Sequence, residues 1–362
     1  DQDFGTFDYI IVHDEFTWAP SFLREAILRI CRENLSPLGI AYISYNTYPG
    51  WKAGDTLRDA MQLHNHSAGT MEEVLAGAAA MLNPMSDGLA NHNPQAASLK
   101  AAVERINQHP DYYLNGEFLQ ATAASFYFIE FAETAAQAGL AYVGDAEPQS
   151  EMSVAHGQNV QLNHSLISLG QPKLMKQQYL DFAVGREFRR SLFLHQERAV
   201  SILNAPDLDR LADLNWAACL KQGIFNSASG QSTRYFNPSG HTVAITDEVE
   251  IRICHALASV WPASLSYENL VASAQDIEAW LKPEHAQHAT EDIQRALENL
   301  FKLGALHYSL DDGPYNHAKN HALQPFIDLD NFAQSSNNES ISINGFNLWH
   351  AALQLRLTPL QG

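Results

Sequence analysis

The sequence predicts an α/β domain followed by mainly helical ones, that is, α/β plus α, and three observations carry this prediction. Residues 7–12, Phe-Asp-Tyr-Ile-Ile-Val, are a short apolar run rich in β formers, and residues 40–45, Ile-Ala-Tyr-Ile-Ser-Tyr, are another. Unbroken apolarity of this kind suits parallel strands covered on both faces. Between the two runs, Pro20 and Ser21 open a stretch in which Phe22, Leu23, Ala26, Ile27 and Ile30 share one helical face, and Pro37 and Gly39 close it. Strand, helix and strand in so short a span make a βαβ unit.

The later elements follow the same logic. Residues 52–112 read as helices and loops, with an Ala-rich helix at 71–82, a mostly polar loop at 84–93 and another helix at 94–106. Residues 126–137 form an amphipathic helix with Phe128, Phe131, Ala132 and Ala135 on one side. Gly139 stops it, and residues 140–143 are a strand. The stretch 52–112 is therefore an insertion within a parallel-sheet domain. Residues 171–221 read as helical, with Tyr179, Phe182, Phe188, Leu192 and Leu203 as core, and the polar stretch 226–239 reads as a linker. Helix signals follow at 249–260, 267–274 and from Thr290 to Gly304, then a strand at 306–310 and a turn at 311–314. Three helices and a strand-turn resemble a winged-helix module. The expected organisation is an α/β domain over 1–150 with its insertion at 52–112, a helical middle region over 151–235, a winged-helix-like domain over 236–330 and a C-terminal segment over 331–362.

Bulk properties exclude several classes. The chain has 362 residues, too many for one ordinary domain, and its 46% hydrophobic content is far from that of a disordered chain. No run approaches the roughly 20 apolar residues needed to span a bilayer. Cys31, Cys219 and Cys254 lie too far apart for a disulfide framework or a zinc pattern, and a reducing cytoplasm is the natural setting. A net charge of −19 disfavours nucleic acid and anionic lipid while tolerating a protein partner. The pairs His64/His66 and His285/His288 lack a third ligand nearby and read as surface histidines, so no metal is expected. The helix from 291 to 304 sets Arg295 and Lys302 against Glu291, Asp292 and Glu298, which does not make a basic recognition helix. The chain opens at Asp1 rather than Met and stops at Gly362 after what reads as the start of another element, so a fragment is expected.

Chemistry is expected at the carboxyl ends of the parallel strands, where open α/β sheets bind their ligands. The first strand ends in His13 and Asp14, with Trp18 beyond, and the second in Asn46, Tyr48 and Trp51. Carboxylate and aromatic groups together suit a cationic, adenine-bearing ligand, because indole packs on a purine and a carboxylate or ring face stabilises a sulfonium. His13, Asp14, Asn46 and Tyr48 are expected to converge on one cleft.

Residues 7–13 followed by Trp18-Ala19-Pro20 resemble the fourth strand of class I S-adenosylmethionine-dependent methyltransferases. The string Ser44-Tyr45-Asn46-Thr47-Tyr48-Pro49-Gly50-Trp51 resembles the end of their fifth strand in a subfamily that carries a methyltransferase regulatory domain. That subfamily is similar to bacterial protein-lysine methyltransferases acting on outer-membrane proteins. Residues 113–119, 126–128 and 139–142 resemble the regulatory segment, and 178–182 with Arg186, Phe188 and Arg189 its helical continuation. Residues 236–310 resemble the winged-helix domain of the same proteins. Gly116 and Ile129 stand where many relatives carry histidine.

The resemblance implies the second half of a Rossmann-like methyltransferase sheet, S-adenosylmethionine as cofactor, and methyl transfer to a protein amine such as lysine. It assigns catalytic roles to Asp14, Asn46 and Tyr48, and contacts to the cofactor to His13, Asp14 and Trp18. The partner expected is a protein substrate, with homodimerisation left open. No Gly-x-Gly occurs in the sequence, so the loop that grips the cofactor's methionine tail is expected upstream of Asp1. Strand 7–12 is then expected at a sheet edge, and the chain alone is expected to bind cofactor weakly and to be inactive. The alternative is an adaptor that uses the same scaffold and the winged helix to bind a protein.

Overall fold

The computed structural model describes residues 4–108, 113–204, 207–227, 230–236, 242–243, 245, 247–275, 289–316, 341–346, 349 and 352–357. The chain divides into two compact units, 1–205 and 206–362. No helix among the described residues is long and apolar enough to cross a membrane.

The first unit is built on a mixed sheet. Strand β1 (Phe7–Val12) pairs in parallel with β2 (Leu35–Tyr48), through α1 (Glu15–Trp18) and α2 (Ser21–Asn34). The register slips between Phe7 and Tyr9, opposite Pro37 and Gly39, where a proline without an N–H costs the ladder nothing. On the other side of β2 lies the antiparallel β5 (Phe188–His195), and beyond it β4 (Leu140–Asp145), antiparallel in turn. The order is β1-β2-β5-β4, with the short β3 (Phe126–Tyr127) extending the end of β2 in parallel. The strands expected at 7–12, 40–45 and 140–143 therefore run in the same direction.

Residues 188–195, expected to be helical, are a strand instead. Their apolar residues fit a helix as well as a strand, but Arg189, Ser191 and Phe193 alternate into one face with period two. This strand also corrects the boundary expected at residue 150, because the sheet takes a member from beyond it and the unit extends to 205.

Odd-numbered residues of β2 face the helices. Ala41, Ile43 and Tyr45 are buried against Leu28 and Cys31 of α2 and against Phe128, Phe131, Ala132 and Ala135 of α6 (Phe128–Gln137). The insertion folds as α3 (Lys52–His64), α4 (Met71–Ser86) and α5 (Ala96–Gln108), around its own core of Leu57, Met61, Ala78, Leu99, Val103 and Ile106. A π-helical turn, Leu114–Leu119, returns the chain to the sheet and places Phe118 in that core. The 151–187 stretch supplies α7 (Gln158–Ile167) and α8 (Lys173–Val184).

In the second unit, β6 (Asn215–Ala217) lies between β10 (Leu265–Ser266) and β11 (His307–Ser309), antiparallel to both. Among the described residues three helices accompany this sheet: α9 (Glu248–Val260), α10 (Tyr267–Gln275) and α11 (Ala289–Lys302). Trp216 is fully buried and meets Phe301 and Tyr308 edge-on or tilted. Because β6 belongs to this sheet, the module begins well before the expected residue 236.

The expected linker at 226–239 is also corrected: β7 (Lys221–Ser227) and β8 (Gly230–Phe236) form a hairpin, and β9 (Thr242–Val243) joins β8. Backbone pairing satisfies a polar strand as readily as an apolar one, so polar composition alone misled. Within the C-terminal segment, β12 (Ile341–Phe346) pairs with β13 (Ala352–Leu357).

Candidate functional site

A cleft of about 370 Å³ opens in the first unit at the carboxyl ends of β1 and β2. His13 and Asp14 enter it from β1, Asn46 and Trp51 from β2 and its extension, Arg105 from α5, and Tyr113 and Glu117 from the π-turn. Glu187, Phe188 and Arg190 close the remaining side from the start of β5. Even-numbered residues of β2 point this way, opposite to its helix-covered face.

The end of β1 is held in a rare conformation. Asp14 has φ 63°, the left-handed region that seldom suits a non-glycine residue. Its N–H donates to Ser44 Oγ at 2.8 Å, and its carboxylate lies 3.5 Å from His13 Nε2. His13 Nδ1 is 3.1 Å from the Tyr42 hydroxyl. Burial raises the Tyr42 pKa, so this phenol stays protonated.

Asn46 is fixed from both ends. Its N–H donates to Thr17 Oγ1 at 2.8 Å, and its side-chain amide donates to Glu117 Oε2 at 2.5 Å. Glu117 is only 7% exposed. Burial pushes its pKa above the usual carboxylate range, against the opposing pull of the Asn46 hydrogen bond. Among the described residues no lysine or arginine forms an ion pair with it. Tyr113 is pushed up to about 12, first by burial and then by the charge of Glu117. The two arginines of the cleft have other carboxylates: Arg105 pairs with Glu187 at 2.6 Å, and Arg190 pairs with Glu147 at 2.5 Å.

The segment after β2 explains why its sequence is so particular. Thr47 N–H donates to the Glu187 carbonyl at 2.8 Å, and Gly50 N–H donates to the Arg186 carbonyl at 2.9 Å. A Cβ at Gly50 would stand 2.2 Å from the Gly185 carbonyl oxygen, so only glycine permits this approach. Trp51 is thereby seated under the cleft, its ring 5.7 Å from that of Phe118.

Of the residues expected at the site, His13, Asp14 and Asn46 meet in the cleft. Tyr48 does not line it. Its parity on β2 is that of Asn46, but at the last residue of the strand its hydroxyl donates to Asp55 Oδ2 of α3 at 2.5 Å, which draws the ring away from the cleft. Lys52 Nζ lies 3.5 Å above the Tyr48 ring. Trp18 is also outside the lining set. Its indole covers Gly116, where an added Cβ would stand 3.0 Å from the ring. A side chain larger than glycine at 116 would therefore displace the indole. Glu117, Tyr113, Arg105, Glu187 and Arg190 were not singled out as site residues from the sequence; the string 113–119 was the one available signal, as part of the regulatory resemblance. Among the described residues no group of His, Cys, Asp and Glu could hold a metal ion, while His285 and His288 lie outside those residues.

Residues 110–195 match a family model described as a predicted methyltransferase regulatory domain. An uncharacterized protein of Rickettsia prowazekii is 34% identical over 215 residues, covering 56% of this chain and 36% of that protein. A second uncharacterized protein of the same organism is 35% identical over 136 residues, covering 37% of this chain and 54% of that protein. The chain thus spans between about a third and about half of the length of these curated relatives. Among solved structures, PKMT2 from Rickettsia typhi in complex with AdoHcy superposes with a TM-score of 0.74 at 23% identity, over 98% of this chain and 68% of that one. A further structure of PKMT2 gives a TM-score of 0.71 at 21% identity. The resemblance and the mixed α/β fold class read from the sequence are both borne out.

Proposed function

We propose that the protein acts in S-adenosylmethionine-dependent methyl transfer, with an amine of a protein, lysine above all, as acceptor. One observation carries the reading. At the carboxyl ends of two parallel strands, in a fold shared with an AdoHcy-bound protein, a cleft gathers Asp14, Glu117, Asn46 and Trp51. AdoHcy is the demethylated product of S-adenosylmethionine.

The donor set fits such a cofactor at its sulfonium side. Asp14 offers negative charge, His13 a ring nitrogen, and Trp51 an aromatic wall. S-adenosylmethionine supplies an electrophilic methyl group on a sulfonium, which departs as a neutral thioether. The protein must supply position and dryness. Asn46, fixed by Thr17 and Glu117, orients groups at the β2 end, and the insertion helices with the 185–190 segment shield the cleft from water.

The second unit is read as a winged-helix-like docking module for protein. In α11, Arg295 pairs with Asp292 and Lys302 with Glu298, which leaves little charge for a phosphate backbone.

The test is methyl transfer from S-adenosylmethionine labelled in its methyl group, using protein that carries this chain and a cell lysate as acceptor. The expected result is label in protein that survives mild base and appears as methyl-lysine on hydrolysis. Label confined to base-labile ester, or no transfer by folded protein, overturns the reading.

A further inference from the structure

We propose that Glu117 receives the acceptor's ammonium group and removes its proton, making it the catalytic base of the cleft. The proposal rests on the methyltransferase reading above.

Glu117 sits in the π-helical turn Leu114–Leu119, a geometry that often marks functional sites. Its side chain is buried yet lines the cleft. Its side-chain hydrogen-bond partners are neutral, the Asn46 amide at 2.5 Å and the Trp18 indole. The charged and titratable groups around it come from every neighbouring element. They are His13 and Asp14 at the end of β1, Arg105 of α5, Tyr113 of its own turn, and Glu187 and Arg190 of the β5 segment.

Arg105 attracts it, but neither arginine forms an ion pair with it among the described residues. Arg105 is engaged by Glu187 and Arg190 by Glu147, while Asp14 adds like charge. A buried carboxylate without a cation is costly, so the cleft is built either to hold a proton at Glu117 or to admit a cation.

A primary ammonium answers both needs. It brings positive charge and three N–H donors. One donor meets Glu117, and Asn46, whose N–H is committed to Glu117, has its amide oxygen to offer another. The N–H bond then breaks, its electron pair stays on nitrogen, and the proton forms an O–H bond with the Glu117 carboxylate. The amine is left neutral and nucleophilic, as methyl capture requires. After capture, the proton leaves Glu117 for solvent through the open mouth of the cleft.

Burial, which raises the proton affinity of Glu117, brings it closer to that of an amine than an ordinary carboxylate comes. Asp14 is less suited, since its side chain is 39% exposed and lies 3.5 Å from His13 Nε2.

Glu117→Gln keeps size and hydrogen bonding but cannot take the proton. Two readouts apply to the same protein: calorimetric binding of Nα-acetyl-lysine methylamide, with the norleucine analogue as control, and kcat for methyl transfer. The expected result is at least tenfold weaker binding of the lysine probe and a fall in kcat of about 100-fold or more. AdoHcy binding should stay within about threefold of wild type. Glu117→Asp should restore part of the rate with a shifted acid limb in the pH profile, and it decides the matter if the glutamine variant fails to fold. If wild-type protein transfers methyl groups and Glu117→Gln matches it in probe binding and kcat, the proposal falls while the methyltransferase reading stands. If wild type transfers none, the reading falls and takes this proposal with it.

Discussion

Two consecutive arginines on β5 end up on opposite faces of one sheet, and the two faces use charge differently. Arg189 is fully buried on the helix-covered face. There it holds Asp181 through two nitrogens, at 2.8 and 2.7 Å, and Asp145 at 2.7 Å. Arg186 adds a further bond to Asp181 at 2.5 Å, and Ser191 donates to Asp145 at 3.2 Å. The guanidinium of Arg189 also rests 4.0 Å from the Phe128 ring centroid. Every carboxylate oxygen of Asp181 and Asp145 has a donor, and the network ties α8, β4 and β5 together. Arg190, one residue on, points to the cleft, where the buried carboxylate Glu117 hydrogen-bonds neutral side chains and forms no ion pair among the described residues. Matched charge holds the fold together; unmatched charge is left for a ligand. Backbone links connect the faces, because the segment that follows Arg186 also fixes Thr47 and Gly50 and contributes Glu187 to the cleft.

The largest effect expected from this contrast is on the buried side. Arg189→Met should destabilise the first unit by about 3–5 kcal/mol, because it strands two buried carboxylates. Guanidinium denaturation followed by circular dichroism measures this, and a loss under about 1 kcal/mol would show the network to be dispensable. A smaller effect belongs to Asp14. At its positive φ, glycine is the relaxed choice, so Asp14→Ala should be less stable than Asp14→Gly by about 1 kcal/mol, the reverse of the usual order. The same unfolding assay ranks the two. Tyr48→Phe removes one hydrogen bond to Asp55 and should cost about 0.5–1.5 kcal/mol. A turnover defect in this variant as deep as that of Glu117→Gln would return Tyr48 to the site.

The parts of the cleft legible in the sequence are those written at strand ends. His13, Asp14 and Asn46 follow apolar runs directly, and the sheet brings them together because β1 and β2 are parallel. Tyr48 shares the strand parity of Asn46, but it ends β2 and its hydroxyl is taken by Asp55 of α3, a tertiary contact that strand periodicity does not announce. Glu117, Arg105 and Glu187 arrive from segments 59 or more residues beyond Asn46, and no periodicity announces where an inserted helix or a π-turn will return to the sheet. The β5 strand was hidden for a related reason. Its apolar residues fit a helix as well as a strand, and the sequence carries no sign that Arg189 is buried, 1% exposed, between Asp181 and Asp145. Among the described residues β1 pairs with β2 alone, and Tyr9 and Ile11 are about three-quarters uncovered.

The contrast between the faces comes down to Glu117. Its raised pKa means that its contribution to stability is fully present below the unfolded-state pKa of a glutamate, about 4.3, and is lost as pH rises through its folded-state pKa. Glu117→Gln cannot ionise and escapes that loss. The decisive measurement is the unfolding stability of Glu117→Gln relative to wild type as a function of pH, with methyl transfer assayed on the same samples. The account predicts a variant whose stability relative to wild type rises with pH above the usual glutamate range while its methyl transfer collapses. A variant that grows relatively less stable as pH rises, or one that transfers methyl groups at the wild-type rate, would contradict it.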